Sequence, residues 1–512
     1  MWYTRVLAGT LNYRPVVLTL WAIVVLLIIP FYMFSQKELA PAEDQSFMFS
    51  IIQAAANSTI DQTRIFAKEA EKVYRSMPEV AATFQVIFPT GGFGGMATKP
   101  WSERSRSTSE MQVETSMKSS KIPGIRVIQI VPPSLPGGEG FPVDLAILST
   151  AEPERLAEFA NQLVGKAFAS GKFMFADTDL KFDQPQARVV FDRDKLRSQG
   201  VDMAQAGRDL SVLLGGNYVN RFSIGGRSYK VIPQVKRSER LTADQLGGMY
   251  VTGQNGTLVP LSTFATLETS TEPRELKRLQ QLNAVRIQGV FPPGVTLDDA
   301  LKVLEDEARK ILPRGFTIDY AGESRQLRKE ASRFLPTFLL SAILIYLVLA
   351  AQFESFRDPF IILAGSVPLA LAGSLLFSFL GFTSINIYSQ VGLITLVGLV
   401  SRNGILIVQF ANHLQEEGRD KVAAVLEASG TRLRPIMMTT AATVMGHLPL
   451  VFARGAGAGA RNSIGIMLVT GMVIGTAFTL FVVPSIYVLV AKQHRAEREV
   501  GEIDGSLEES PA

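Results

Sequence analysis

Six apolar runs, each long enough to cross a bilayer, constrain this chain more than any other feature. They are Pro15–Phe34, Phe334–Gln352, Pro359–Phe382, Ile385–Asn412, Pro435–Phe452 and Ser463–Ala491. A helix crosses the hydrocarbon core with about 20 such residues. Their spacing is uneven: one run, then about 300 mostly polar residues, then five runs close together. The first is expected to be a true span. Its apolar core is too long for a signal peptide, and Ser35-Gln36-Lys37 is a poor cleavage site. Trp2, Tyr3 and Tyr32 suit the membrane interfaces.

Basic residues set the orientation. Arg5 and Arg14 precede the first run, Lys421, Arg432 and Arg434 lie between the fourth and fifth, and Lys492, Arg495 and Arg498 follow the last. Six crossings put all of these on the cytoplasmic side and export the long insert. Arg454 and Arg461 fall on the outer side.

The chain of 512 residues has no cysteine, so the exported part must be held by its own cores or by neighbours. Cysteine-based metal or redox chemistry is excluded. A net charge of +4 with dispersed basic residues gives no nucleic-acid footprint. His413, His447 and His494 fall at different membrane depths and cannot form one metal site. No nucleophile–base cluster stands out, which argues against an enzyme, and no cofactor motif is present. The run Gly91-Gly92-Phe93-Gly94-Gly95 reads as a loop but lacks the lysine of a phosphate loop.

Within the insert, strand and helix patterns alternate. Strands are expected over Asp44–Ala54, Ala82–Phe88, Ile125–Val131, Val143–Leu148, Ala284–Val290 and Phe316–Tyr320. Helical stripes run through Phe66, Ala70 and Val73, through Leu156, Phe159 and Leu163, and through Leu301, Leu304 and Ala308. Such units suggest two split β-α-β, ferredoxin-like subdomains. The expected divisions are a first span within 1–34, porter-like subdomains at 35–141 and at 142–192 with 277–333, an insert at 193–276, a five-helix bundle at 334–491 and a tail at 492–512. Gly225-Gly226 and Asn255-Gly256 mark hairpins in the insert. The fold class is therefore an α+β membrane protein with one plus five transmembrane helices.

One residue of the fourth run has no evident counter-charge. Arg402 stays ionised and lies near mid-bilayer depth, where a charge costs at least about 2.5 kcal/mol. No apolar run contains an Asp or Glu. A carboxylate from another polypeptide is therefore expected. Asn403, Thr439 and Thr440 are polar neighbours that also suit ordinary helix packing.

Several stretches resemble the resistance–nodulation–division (RND) efflux permeases of the hydrophobe/amphiphile multidrug branch. They are Ala351-Gln352-Phe353-Glu354-Ser355-Phe356, Val391-Gly392-Leu393 through Ser401-Arg402-Asn403-Gly404-Ile405-Leu406-Ile407-Val408, Arg432-Leu433-Arg434-Pro435-Ile436-Met437-Met438-Thr439, and Gly215-Gly216-Asn217-Tyr218-Val219-Asn220. The resemblance covers the chain but only the C-terminal half of a usual member. It implies a trimeric, proton-driven exporter of amphiphilic small molecules in the bacterial inner membrane. Its partners would be an N-terminal half permease chain, a periplasmic adaptor and an outer-membrane channel. It implies proton coupling through Arg402, Asn403, Arg432 and Thr439, with Arg402 replacing the family's lysine. Asn217, Tyr218, Val219 and Asn220 would belong to a docking hairpin. Phe93 and Met96 would approach a substrate cleft, on a segment shorter than the family's Gly-Phe loop. Two other readings stay open: a heavy-metal-exporting RND branch, and a transport-incompetent remnant or assembly module.

Overall fold

The computed structural model describes residues 2–136, 138 and 140–493. His494, Arg495, Arg498 and most of the expected tail lie outside the described residues. The chain opens with a short helix α1 (Trp2–Asn12) and the long helix α2 (Arg14–Phe34). Pro15 sits in the first turn of α2, where its missing N–H costs nothing. Tyr3, Leu7 and Leu11 of α1 are buried, and the Tyr3 hydroxyl donates to the Leu480 carbonyl at 2.7 Å.

The exported part then forms β1 (Phe47–Ala54), α3 (Ile60–Arg75), β2 (Val80–Phe88), β3 (Gly91–Thr98), α4 (Thr108–Ser119) and β4 (Ile125–Ile130). The four strands make one antiparallel sheet in the order β2-β3-β1-β4. Met48 and Ile52 of β1 alternate inward and meet Ala67, Ala70 and Tyr74 of α3 in one core.

Two features differ from the sequence reading. The glycine run is strand β3, not a loop. It lies between β1 and β2, and a Cβ on Gly92 or Gly95 would fall 2.3 or 2.4 Å from a neighbouring carbonyl oxygen. Glycine disfavours strands in isolation, so the local signal pointed the wrong way. The polar segment after it contains α4, which a capping box starts. Glu110 N–H donates to Ser107 Oγ at 3.3 Å, and Ser107 N–H donates to the Glu110 carboxylate at 2.9 Å.

Next come β5 (Val143–Ser149), α5 (Pro153–Ala169) and β6 (Phe175–Thr178). Leu180–Leu276 forms a compact unit of its own. It holds β7 (Gln184–Phe191), α6 (Arg193–Ser198), α7 (Met203–Leu213), the hairpin β8 (Asn220–Ile224) and β9 (Arg227–Val231), the short pair β10 (Tyr250–Thr252) and β11 (Leu258–Pro260), and β12 (Ala265–Glu272). The unit begins before the expected boundary because β7 pairs along its whole length with β12. Both dipeptide signals mark turns with positive φ: 56° and 77° at Gly225 and Gly226, 60° and 77° at Asn255 and Gly256.

The chain continues with β13 (Lys277–Leu279), β14 (Leu282–Val290), α8 (Leu297–Ile311) and β15 (Thr317–Tyr320). The second large sheet runs β13-β14-β5-β15, with β6 also on β14. Five long helices close the chain: α9 (Gly322–Phe353), α10 (Arg357–Phe379), α11 (Ile387–Glu416), α12 (Lys421–Val451) and α13 (Ala458–Val490). Among the described residues, α2, α9, α10, α11 and α13 are long and apolar enough to cross a membrane. That is five helices where the sequence suggested six. The remaining run lies in α12, which is long but carries Arg432, Arg434 and a string of threonines.

Arg104 shows how a disulfide-free exported domain is held. Its guanidinium makes two bonds to Asp44, at 2.7 and 2.8 Å, and lies 4.3 Å from the centroid of the Trp101 ring. Its side chain is 0% exposed. Burial alone would raise the Asp44 pKa, but Arg104 and the Thr108 and Ser46 N–H groups outweigh it and hold the carboxyl low. Removing one partner of a buried pair costs about 3–5 kcal/mol. Arg104→Ala should therefore lower the denaturant midpoint of the exported domain, read by Trp101 fluorescence. Because the folded pKa is depressed, the stabilisation is full above the ordinary Asp value of about 3.9 and is lost as pH falls below it. Asp44→Asn should flatten that acid limb of the stability curve. An unchanged limb would assign the acid sensitivity to other carboxylates.

Candidate functional site in the helix bundle

Helix α13 packs against α10, α11 and α12, and small residues let it approach. A Cβ on Gly471 would lie 2.2 Å from Ser374 Oγ, and one on Gly475 would lie 2.7 Å from Ala370 Cβ. Apolar solvent drives no association in a membrane, so this close contact supplies much of the cohesion. Ser374 Oγ donates across to the Met467 carbonyl at 2.6 Å.

Arg402 sits midway along α11. Its Nε and Nη2 atoms are buried and have no hydrogen-bond partner. No ion pair reaches it among the described residues. The next residue turns into the bundle: Asn403 Nδ2 donates to Thr476 Oγ1 at 3.1 Å and lies 3.4 Å from Thr440 Oγ1. The two threonine hydroxyls are 3.4 Å apart, and Asn403 Oδ1 is buried without a partner.

Thr439 faces elsewhere and donates to its own helix at Ile436 O, 3.1 Å away. So the structure joins Asn403 to Thr440 and Thr476, and not to Thr439. Thr476 was missed. A single hydroxyl in an apolar helix carries no sequence signal beyond packing.

Arg432 stacks 4.6 Å from the Phe410 ring centroid, and its Nε is buried without a partner. It lines a cavity of about 810 Å³, together with Asp358, Gln409 and Asn412. Arg434 is exposed, as an interfacial anchor would be. His447 bonds the Thr443 carbonyl of its own helix through Nδ1 at 2.7 Å.

A second buried network also escaped the sequence reading. Asn412 Nδ2 donates to Asp358 Oδ2 at 3.1 Å, the Tyr487 hydroxyl donates to Asn412 Oδ1 at 2.5 Å, and Gln415 Nε2 donates to the Tyr487 oxygen at 2.5 Å. Asp358 stands one residue before an apolar run, so a search of the runs for acids passes over it.

Outside the bundle, Phe93 and Met96 part company. Phe93 is exposed on the outer face of β3, 6.2 Å from Phe88 in ring centroids. Met96 is 0% exposed and belongs to the core with Met48 and Tyr74. Three residues apart on a strand they point to opposite faces. The cleft expectation for Met96 is corrected to a core role. Asn217, Tyr218, Val219 and Asn220 are all exposed, leading into a hairpin whose two strands are exposed throughout.

The sequence profile of the AcrB/AcrD/AcrF family matches residues 1–491. The chain belongs to that family of RND efflux permeases. It is 40% identical over 488 residues to an uncharacterized transporter of Haemophilus influenzae, an alignment covering 93% of this chain and 47% of that protein. It is 32% identical over 505 residues to the multidrug/solvent efflux pump membrane transporter MepB of Pseudomonas putida, covering 96% and 48%. It is 30% identical over 509 residues to the multidrug export protein AcrF of Escherichia coli, covering 96% and 49%. The chain thus spans about half the length of the curated relatives it matches. These permeases are inner-membrane proteins, in keeping with the long apolar helices and the large domain outside them. By their names the relatives are transporters, not enzymes.

The two threonines separate a bundle role from a lone-helix role. Thr476→Val should cost about 0.6–1.7 kcal/mol, the range for an interhelical bond in a membrane. Thr439→Val should cost less, since it breaks no bond between helices. Thermal unfolding of the purified variants in detergent measures both, and equal losses would remove the distinction.

Proposed function

We propose that this chain is the C-terminal half of a proton-driven RND exporter of amphiphilic compounds. A partner half, with intramembrane carboxylates, completes the bundle. The single supporting observation is Arg402, whose Nε and Nη2 are buried with nothing to accept from them. A guanidinium cannot discharge itself by losing a proton. Its neighbour must supply an anion, and a carboxylate that faces a fixed cation can switch helix packing when it takes up a proton.

In this reading α12 is the sixth span. Arg432 opens onto the cytoplasmic cavity and Asn403 is the polar neighbour that ties α11 to α12 and α13. The role assigned by resemblance to Thr439 passes in part to Thr440, which makes the contact. The alternating layers are two ferredoxin-like subdomains. In support, β1, β2, β3 and β4 lie in the order 2-3-1-4, and β5, β6, β14 and β15 repeat it. The exposed β8–β9 hairpin is a docking element for a neighbouring subunit, and Phe93 lines the cargo path. A trimer with an adaptor and an outer-membrane channel completes the proposed machine.

Arg402→Ala should abolish drug export in cells that also make the partner half, while membrane insertion stays intact. Arg402→Lys should keep a measurable part of it, because charge matters first and the planar fork second. Resistance is read as a minimal inhibitory concentration. Full resistance in the Arg402→Ala strain would refute the coupling role.

A further inference from the structure

Asp358 is a buried carboxylate at the cytoplasmic end of the bundle that the proposed coupling leaves unused. It stands in the first turn of α10 and is 5% exposed. One oxygen, Oδ2, accepts from Asn412. The donors behind that bond all point the same way: Gln415 to Tyr487, Tyr487 to Asn412, and Asn412 to Asp358. Donors aligned in a chain on one acceptor strengthen each other. The other oxygen, Oδ1, accepts from no donor among the described residues and is not sealed from solvent. It opens onto the cavity of about 810 Å³ that Asp358 helps to line.

No ion pair reaches Asp358 among the described residues, although the wall of the cavity carries both signs of charge. Glu354 and Arg357 flank it on the turn from α9 to α10, and Arg432 faces the space from α12. His413 and Glu416 face it from α11, where His413 lies against Glu416 and Glu417 at 3.8 and 3.3 Å. Tyr487 stands behind Asn412 on α13, and Lys492 lies just beyond that helix. An acid in a first helical turn suits the helix dipole, and the bonds through Asn412 would clamp three helices. A clamp does not require a free oxygen on an open cavity. The cavity also leads toward Arg402. Gln409, His413 and Glu416 line it and follow Arg402 by seven, eleven and fourteen residues, so all four share one face of α11. Gln409 is two turns from Arg402, about 10 Å at 1.5 Å per residue.

We propose that Asp358 is a proton-relay residue at the cytoplasmic mouth of the bundle, with Oδ1 as the atom that takes the proton. A hydronium ion in the cavity gives its proton to the carboxylate, leaving water and a neutral carboxyl. The carboxyl then gives the proton to water on the cytoplasmic side and is a carboxylate again. Asn412 donates to Oδ2 in both states, so the side chain need not move. A carboxylate on an aqueous path within a membrane bundle suits such a relay, whereas the Arg432 guanidinium on the same wall cannot release its proton. The inference deepens the export reading and rests on it for the proton flux.

The test uses inverted membrane vesicles from cells that make both halves, which turn the cavity outward to the medium. Respiration-driven ethidium uptake is read against vesicles from cells lacking the pair. Asp358→Asn should slow uptake several-fold, although its side-chain oxygen can still accept from Asn412 and keep the clamp. Asp358→Glu should keep most of the rate. Sodium formate in the medium supplies a small carboxylate that can enter the cavity. It should restore uptake by Asp358→Asn, sodium chloride at the same concentration should not, and neither should change the unaltered protein or revive Arg402→Ala. Full uptake by Asp358→Asn overturns the relay. So does a slow Asp358→Asn that formate leaves slow, which is the behaviour of a clamp alone. Ethidium uptake by the unaltered protein that is absent or survives an uncoupler sinks the export reading and the relay with it. Uptake that the uncoupler stops but Asp358→Asn does not slow sinks the relay alone.

Discussion

A guanidinium with two buried nitrogens, Nε and Nη2 of Arg402, that nothing accepts from governs how the rest of this bundle must be understood. Most polar groups among the long helices are met locally. Ser366 Oγ and Thr443 Oγ1 return to their own helices, Ser374 reaches across to Met467, and Asn403 bridges to Thr476. Arg402 and Arg432 are exceptions that carry a full charge, and Arg402 leaves two buried nitrogens unmet where Arg432 leaves one. The Nε and Nη2 of Arg402 lie in one plane, and planar donors match a carboxylate better than a lone carbonyl. A lysine could take a scattered set of acceptors. The arginine asks for a specific geometry, and α11 holds its donors rigidly in place.

That rigidity has a visible source. Gly365, Gly471 and Gly475 bring α10 and α13 together so closely that a methyl group would collide with a neighbouring side chain at each position. The helices α2 and α9 are the opposite case: apolar over most of their length and almost wholly unburied. Surfaces of that kind meet lipid or another helix layer. The unmet donors of Arg402 and Arg432 and the bare apolar faces of α2 and α9 are the surfaces that the proposed partner half would cover.

Period and turn chemistry made the outer layers legible. Gly225-Gly226 and Asn255-Gly256 turned where expected, because positive φ is cheap at those residues alone. The strand-helix alternation was legible too, since each strand buries one face. The glycine run at 91–95 was not, because its strand character comes from β1 and β2 on either side and not from its own side chains. Met96 followed from the same error: a loop residue can face anywhere, whereas a strand residue three positions from Phe93 must face the other way. In the bundle, the cost of a lone cation exposed Arg402 at once. Thr476, Asp358 and Tyr487 were hidden, because each is unremarkable until its partner on another helix is known.

Charge is left unbalanced at two levels of this chain, with opposite sign. A cavity of about 330 Å³ is lined by Glu38 and Glu323 with no basic side chain among its described lining, and the bundle holds Arg402 with no ion pair among the described residues. Helix α11 connects the two. Its start is tied to the linker that carries Glu38, and Arg402 lies about 25 Å further along it at 1.5 Å per residue. At that separation, and an effective dielectric of 20, two unit charges attract by about 0.7 kcal/mol. That is too little to offset either burial. The Glu323 carboxyl, pushed up to about 7 by burial, can meet its part of the imbalance by holding a proton, whereas the Arg402 guanidinium has no such recourse.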